Sequence, residues 1–78
     1  MKIKEEIMKK VNTIRELRQE LLLDMSEFAK KLKISSASLY SYENNKRMPR
    51  FSTVRKIYDF ALKNNIEFDC SYYINRKV

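Results

Sequence analysis

None of the 78 residues is glycine, and only Pro49 is proline. Glycine enters left-handed backbone without steric cost, so its absence argues against a loop-rich or many-turned β fold. Abundant Lys, Glu and Leu favour helices instead. The length allows one domain, close to the lower limit at which a core supports folding alone. The expected fold class is therefore all-α, or mainly helical.

Apolar periodicity places the helices. Ile3, Ile7, Val11, Ile14, Leu17 and Leu21 recur at helical spacing and predict one long amphipathic helix over about 3–22. Asp24, with Glu27 three residues on, forms a capping box that opens a helix over 25–32, with Met25, Phe28, Ala29 and Leu32 inward. Ser35 is the next N-cap, before a helix over 36–43 with Leu39 and Tyr42 inward. Glu43-Asn44-Asn45 stops it, because asparagine tolerates the left-handed conformation at a helix end. Ser52 or Thr53 caps a fourth helix to about residue 64, with Val54, Ile57, Tyr58, Ala61 and Leu62 as its apolar stripe. Beyond it, Ile66, Phe68, Cys70, Tyr72 and Ile74 alternate with more polar residues, the pattern of a half-buried strand. That strand has no obvious mate in a chain otherwise read as helical.

Charge narrows the function. The net charge is +7, and all of the excess falls in residues 30–56. There Lys30, Lys31, Lys33, Lys46, Arg47, Arg50, Arg55 and Lys56 face Glu43 alone. An excess so confined points to an anionic polymer as partner. Catalysis has little to work with. There is no histidine, no glycine-rich phosphate loop and no pair of carboxylates flanking a plausible cleft, and Cys70 has no base. One cysteine without histidine builds neither a disulfide nor a zinc site, so no cofactor or metal is expected and a reducing, cytoplasmic setting fits. No apolar run approaches a membrane span, and Met1 to Lys10 is too charged for a signal peptide.

Two short helices joined through Lys33-Ile34, the second capped by Ser35, have the proportions of a helix-turn-helix. Residues 14–62 resemble the Cro/repressor-type (XRE-like) family of bacterial and phage regulators, whose domain is a compact four- to five-helix, lambda-repressor-like fold. The resemblance rests on Arg18 ending helix one, Phe28-Ala29 in helix two and Ile34-Ser35 in the turn. It continues through Leu39 and Tyr42, Glu43-Asn44, Lys46-Arg47 and Pro49, all in register.

The resemblance implies a double-stranded DNA-binding transcriptional regulator, not an enzyme, with 36–43 as recognition helix. Ser36, Ala37, Tyr40 and Ser41 would then face base edges. Ser35, Asn44, Lys46, Arg47 and Arg50 would contact the DNA backbone, as would the N–H groups at Met25, which stands where the family usually has glutamine. Arg18 and Glu43 would form the family's internal ion pair. The family usually has glycine where this chain has Leu22, Lys33 and Asn45. Lys33 in a left-handed turn costs on the order of 1 kcal/mol, which a turn of different shape would avoid.

Residues 1–65 are thus expected to be the DNA-binding domain and 66–78 a dimerisation element. Phe68, Cys70 and Tyr72 would lie at a homodimer interface formed by antiparallel pairing of the tail strand with its copy. A dimeric repressor on a palindromic operator follows. Two other readings stay open on the residues: an antitoxin-type regulator that also binds a partner protein, and a protein-interaction module that has kept the fold.

Overall fold

A computed structural model describes residues 9–74. The order is β1 (Lys9–Val11), α1 (Ile14–Glu20), α2 (Met25–Leu32), α3 (Ser36–Glu43), α4 (Phe51–Lys63), β2 (Ile66–Phe68) and α5 (Ser71–Ile74). Among the described residues, five helices surround one core and a two-stranded sheet closes one end. Phe28, Phe68, Ile14, Leu17, Leu39 and Ile57 are all fully buried in that core.

Local chemistry sets the starts of the central helices. Asp24 Oδ1 accepts the Glu27 N–H at 2.8 Å, and Glu27 returns the bond to the Asp24 N–H, a complete capping box. Ser35 Oγ accepts the Ser38 N–H at 3.0 Å and starts α3. The bounds of α2 and α3 agree with those expected from the sequence. α4 starts one residue earlier than expected. Its N-cap is Arg50, with no side-chain cap, so neither Ser52 nor Thr53 fills that role.

The helix ends answer the question that the missing glycines raise. Leu22, Lys33, Asn45 and Asn65 all have φ between 58 and 61°, in the left-handed region. Three of these ends close with the same long backbone bond. Leu23 N–H donates to Arg18 O, Ile34 N–H to Ala29 O, and Lys46 N–H to Ser41 O. Lys33 is left-handed like the others, so the turn between α2 and α3 keeps its shape and carries the steric cost. Packing of Ile34 against the core holds it there.

Two expectations fail at the ends of the chain. Helix one does not run from residue 3 to 22. Residues 9–11 are strand, and α1 begins only after Thr13, whose Oγ1 accepts the Glu16 N–H at 3.1 Å. Ile3 and Ile7 lie outside the described residues. The tail is not a strand over 66–74 either. β2 ends at Phe68, and Asp69 Oδ1 then accepts the Ser71 N–H at 3.1 Å, turning the chain into α5.

These two departures share one cause. β1 and β2 pair in parallel, with Lys9 opposite Ile66 and Val11 opposite Phe68. A parallel pair needs a long crossover, and α1 through α4 provide it. The tail strand therefore has a mate within its own chain. Tyr73 completes the closure: it is buried, it stacks on Phe68 at 5.7 Å, and its Oη accepts the Ile14 N–H at 3.0 Å.

Candidate nucleic-acid interface

α3 has two unlike faces. Inward, Leu39 is fully buried and Tyr42 nearly so. Outward, Ser36 and Ala37 are exposed and Tyr40 is half-exposed. Ser41, expected on the outer face, is half-buried, and its carbonyl accepts the N–H groups of Lys46 and Arg47 at 2.8 and 3.3 Å. Small side chains at the helix start leave its backbone open to close approach.

One carboxylate anchors the end of α3. Glu43 is the charged residue buried among the described residues, and its side chain has no exposure at all. Arg18 grips it with two bonds, Nε to Oε2 at 2.7 Å and Nη2 to Oε1 at 2.9 Å. The planar fork matches the carboxylate, a stronger arrangement than a single bond. The bonds from Glu43 raise the Arg18 pKa above its ordinary value, against the opposing effect of burial. Arg18 Nη1 also reaches Leu23 O at 3.4 Å and so ties the α1–α2 turn to α3.

Arg15 joins this cluster, and the sequence reading missed it. Its Nε lies 3.5 Å from Glu43 Oε1, and its Nη2 donates to Asn44 Oδ1 at 3.1 Å. The available signal was its place one helical turn before Arg18. Asn44 is consequently committed at both ends, since its Nδ2 donates to Tyr40 O at 2.9 Å. Its side chain is half-exposed and holds the end of α3.

Lys46, Arg47 and Arg50 follow α3 and are all exposed. Arg47 places its guanidinium 5.8 Å from the centre of the Tyr42 ring, a cation–π contact that aligns the segment. Two more of the eight cations of residues 30–56 make contacts within the fold. Lys56 Nζ donates to Leu32 O at the end of α2, and Arg55 pairs with Asp59. Ser35 Oγ is engaged as cap and also donates to Ser38 Oγ. Met25 is half-buried against the core, and in the first turn of α2 the Glu27 and Phe28 N–H groups are already taken by Asp24.

The three residues expected at a dimer interface do not share a face. Phe68 is 1% exposed and belongs to the core of its own chain. Cys70 is half-buried, while Tyr72 is exposed and its Oη donates to Asn45 Oδ1 at 3.4 Å.

Among the described residues no group of three His, Cys, Asp or Glu side chains is placed to hold a metal, and no helix is long and apolar enough to cross a membrane. A family model described as helix-turn-helix matches residues 14–59, more than half of the chain. No curated protein and no solved structure gives a significant match.

Proposed function

The chain belongs to the Cro/C1-type (XRE-like) helix-turn-helix family of DNA-binding regulators, and on that premise we propose that it is a sequence-selective repressor. It acts as a dimer on a palindromic operator. α3 lies in the major groove with Ser36, Ala37 and Tyr40 against base edges. Lys46, Arg47 and Arg50 hold phosphates and fix the register. The observation that carries this reading is the split of α3: a locked inner face, an outer face of small residues, and exposed cations directly after it.

The outer face also dictates how sequence is read. It has no Arg, Lys, Asn or Gln, the side chains that make bidentate base contacts. Ala37 and the Tyr40 ring offer apolar contact to thymine methyl groups, and the serine hydroxyls add single hydrogen bonds. Shape and deformability of the duplex supply the rest.

Selection of bound duplexes from a random pool, followed by mobility shifts over a salt series, tests the reading. A dimer that neutralises ~6 phosphates gives a slope of log K against log[salt] near −5. Replacing thymine by deoxyuridine in the selected half-site removes only the methyl groups and should weaken binding. A flat salt response, or no preferred sequence, refutes the proposal.

A further inference from the structure

We infer that the groove between the C-terminal ends of α2 and α4 is a docking site for an acidic, amphipathic segment of another protein. An open cleft of about 240 Å³ lies there, lined on its apolar side by Leu32 and Phe60. Leu32 is buried and Phe60 half-buried. Phe60 packs on Phe28 of α2 with ring centres 6.0 Å apart, so this floor is held in place. Lys31, Lys33, Lys56 and Lys63 line the same cleft, and all four are exposed. Positions 56, 59, 60 and 63 share one face of α4, so the cleft follows that helix for roughly 10 Å.

The charges identify the occupant. Asp59 is the one acid lining the cleft, and Arg55 pairs with it at 3.6 Å, which weakens its opposition. Lys56 Nζ uses one proton on Leu32 O at 3.4 Å and keeps two for incoming acceptors. A second copy of this chain does not fit, because the cleft would meet itself lysine on lysine. A compact polyphosphate fits poorly: Asp59 and the negative end of α2 lie against it, and the apolar floor stays uncovered. Carboxylates spaced along a peptide segment avoid both. Each reaches a lysine on one rim, while an apolar side chain between them covers Leu32 and Phe60. The lysine stems extend the apolar cover along the rims.

None of the lining residues is among those set against DNA above. The site therefore goes beyond the operator reading and does not depend on it. A partner held here leaves the outer residues of α3 open.

Fluorescence anisotropy of the full chain with a labelled synthetic helical peptide, an apolar leucine stripe flanked by glutamates, tests the site. Salt of about 0.15 M limits long-range attraction to ~8 Å. Lys31→Glu/Lys63→Glu should weaken peptide binding by about tenfold or more, with helical circular dichroism kept. Lys10→Glu/Lys30→Glu makes the same change of net charge outside the cleft and should stay within about threefold of the wild type. Replacing the leucines of the peptide by serine should also weaken binding by about tenfold. Equal losses in both double variants would mean attraction to net charge alone and overturn the inference. So would a serine peptide that binds as well, or inorganic tripolyphosphate that binds more tightly through the same lysines. On a selected duplex, Lys31→Glu/Lys63→Glu should leave the salt slope unchanged. A slope lowered by about 2 would make the cleft a phosphate contact and overturn the inference. A chain that binds no duplex yet holds the peptide through these lysines would remove the operator reading and keep the docking site.

Discussion

On its inner face α3 carries Leu39, Tyr42 and Glu43, all buried, while Ser36, Ala37 and Tyr40 on the outer face meet solvent. Each inner residue is fixed by several partners at once: Glu43 alone receives two arginines from α1. Among the described residues, no hydrogen bond, ion pair or ring contact holds the side chains of the outer ones. The difference separates what orients the helix from what it presents. An orientation set from inside lets the outer surface vary without loss of fold, which suits a scaffold that must be rigid in one respect and variable in another.

The largest expected effect comes from breaking the inner anchor. Glu43→Gln keeps the shape of the side chain but removes the charge that Arg18 and Arg15 share. Arg18 has only 20% side-chain exposure, so its charge loses its carboxylate where little water replaces it. Breaking a buried pair costs roughly 3–5 kcal/mol, and the remaining exposure puts this case near ~3. That is a large part of the stability of a small domain. Urea unfolding followed by circular dichroism would measure it. A loss below about 1 kcal/mol would mean that apolar packing alone orients α3.

How much of this frame was legible in the sequence depended on the range of the interactions. α2 and α3 are closed by contacts three to five residues apart, and Asp24, Glu27 and Ser35 announce them. The ends of the fold are closed by Lys9 pairing with Ile66 across almost the whole chain, and no local pattern encodes that. Val11 sits on the helical repeat of Ile14 and Leu17 yet belongs to a strand, because its buried contact is Phe68 opposite it. The tail alternates only as far as Phe68. After that it is Tyr73, out of step with the alternation, that turns inward. Of the interface, the exposed cations and the outer residues Ser36, Ala37 and Tyr40 were readable, whereas the half-buried place of Ser41 and the contacts of Asn44 and Arg15 at the end of α3 required the fold.

The next effect tests whether the tail belongs to the frame. Tyr73 Oη accepts the Ile14 N–H at the start of α1, a buried bond between distant parts of the chain. Tyr73→Phe leaves that donor unsatisfied and should cost about 1–2 kcal/mol. Burial raises the Tyr73 pKa above the ordinary 10.0, with the Ile14 bond acting in the opposite direction. A raised folded value means that the fold retains the proton while the unfolded phenol has lost it. This stabilisation is complete below pH 10 and fades as pH climbs through the folded value. The stabilities of wild type and Tyr73→Phe should therefore converge in alkali. A gap that stays constant above pH 10 would argue against a buried phenol.

A smaller effect, of opposite sign, concerns the turn that joins α2 to α3. Lys33 holds φ at 61° and ψ at 44° with a full side chain. Lys33→Gly relieves a left-handed penalty of about 1–2 kcal/mol. Glycine's extra freedom in the unfolded chain takes back about 0.4–1. A net stabilisation near ~0.5–1 kcal/mol should appear as a higher thermal midpoint. Asn45→Gly should gain less, since asparagine already tolerates this region. Equal gains at both positions would show that side-chain sterics do not set the cost.

The smallest effect on stability is expected on the outer face, and it sharpens the comparison most. Ser36→Ala and Ala37→Gln touch no buried partner, so each should change the unfolding free energy by no more than about 0.5 kcal/mol. Their effect belongs to binding. Each should redistribute the preferred duplexes by ~1–3 kcal/mol at the base pair it faces. Arg50→Ala should differ in kind: it lies beyond the helix, and losing one phosphate contact weakens all duplexes alike and lowers the salt slope by about 1. Repeating the random-pool selection with the three variants and comparing enriched sequences separates these cases. Should Ala37→Gln enrich the same sites as the wild type, α3 does not read bases through this face. Should it unfold the protein, the outer face is part of the frame, and the division of labour within α3 is wrong.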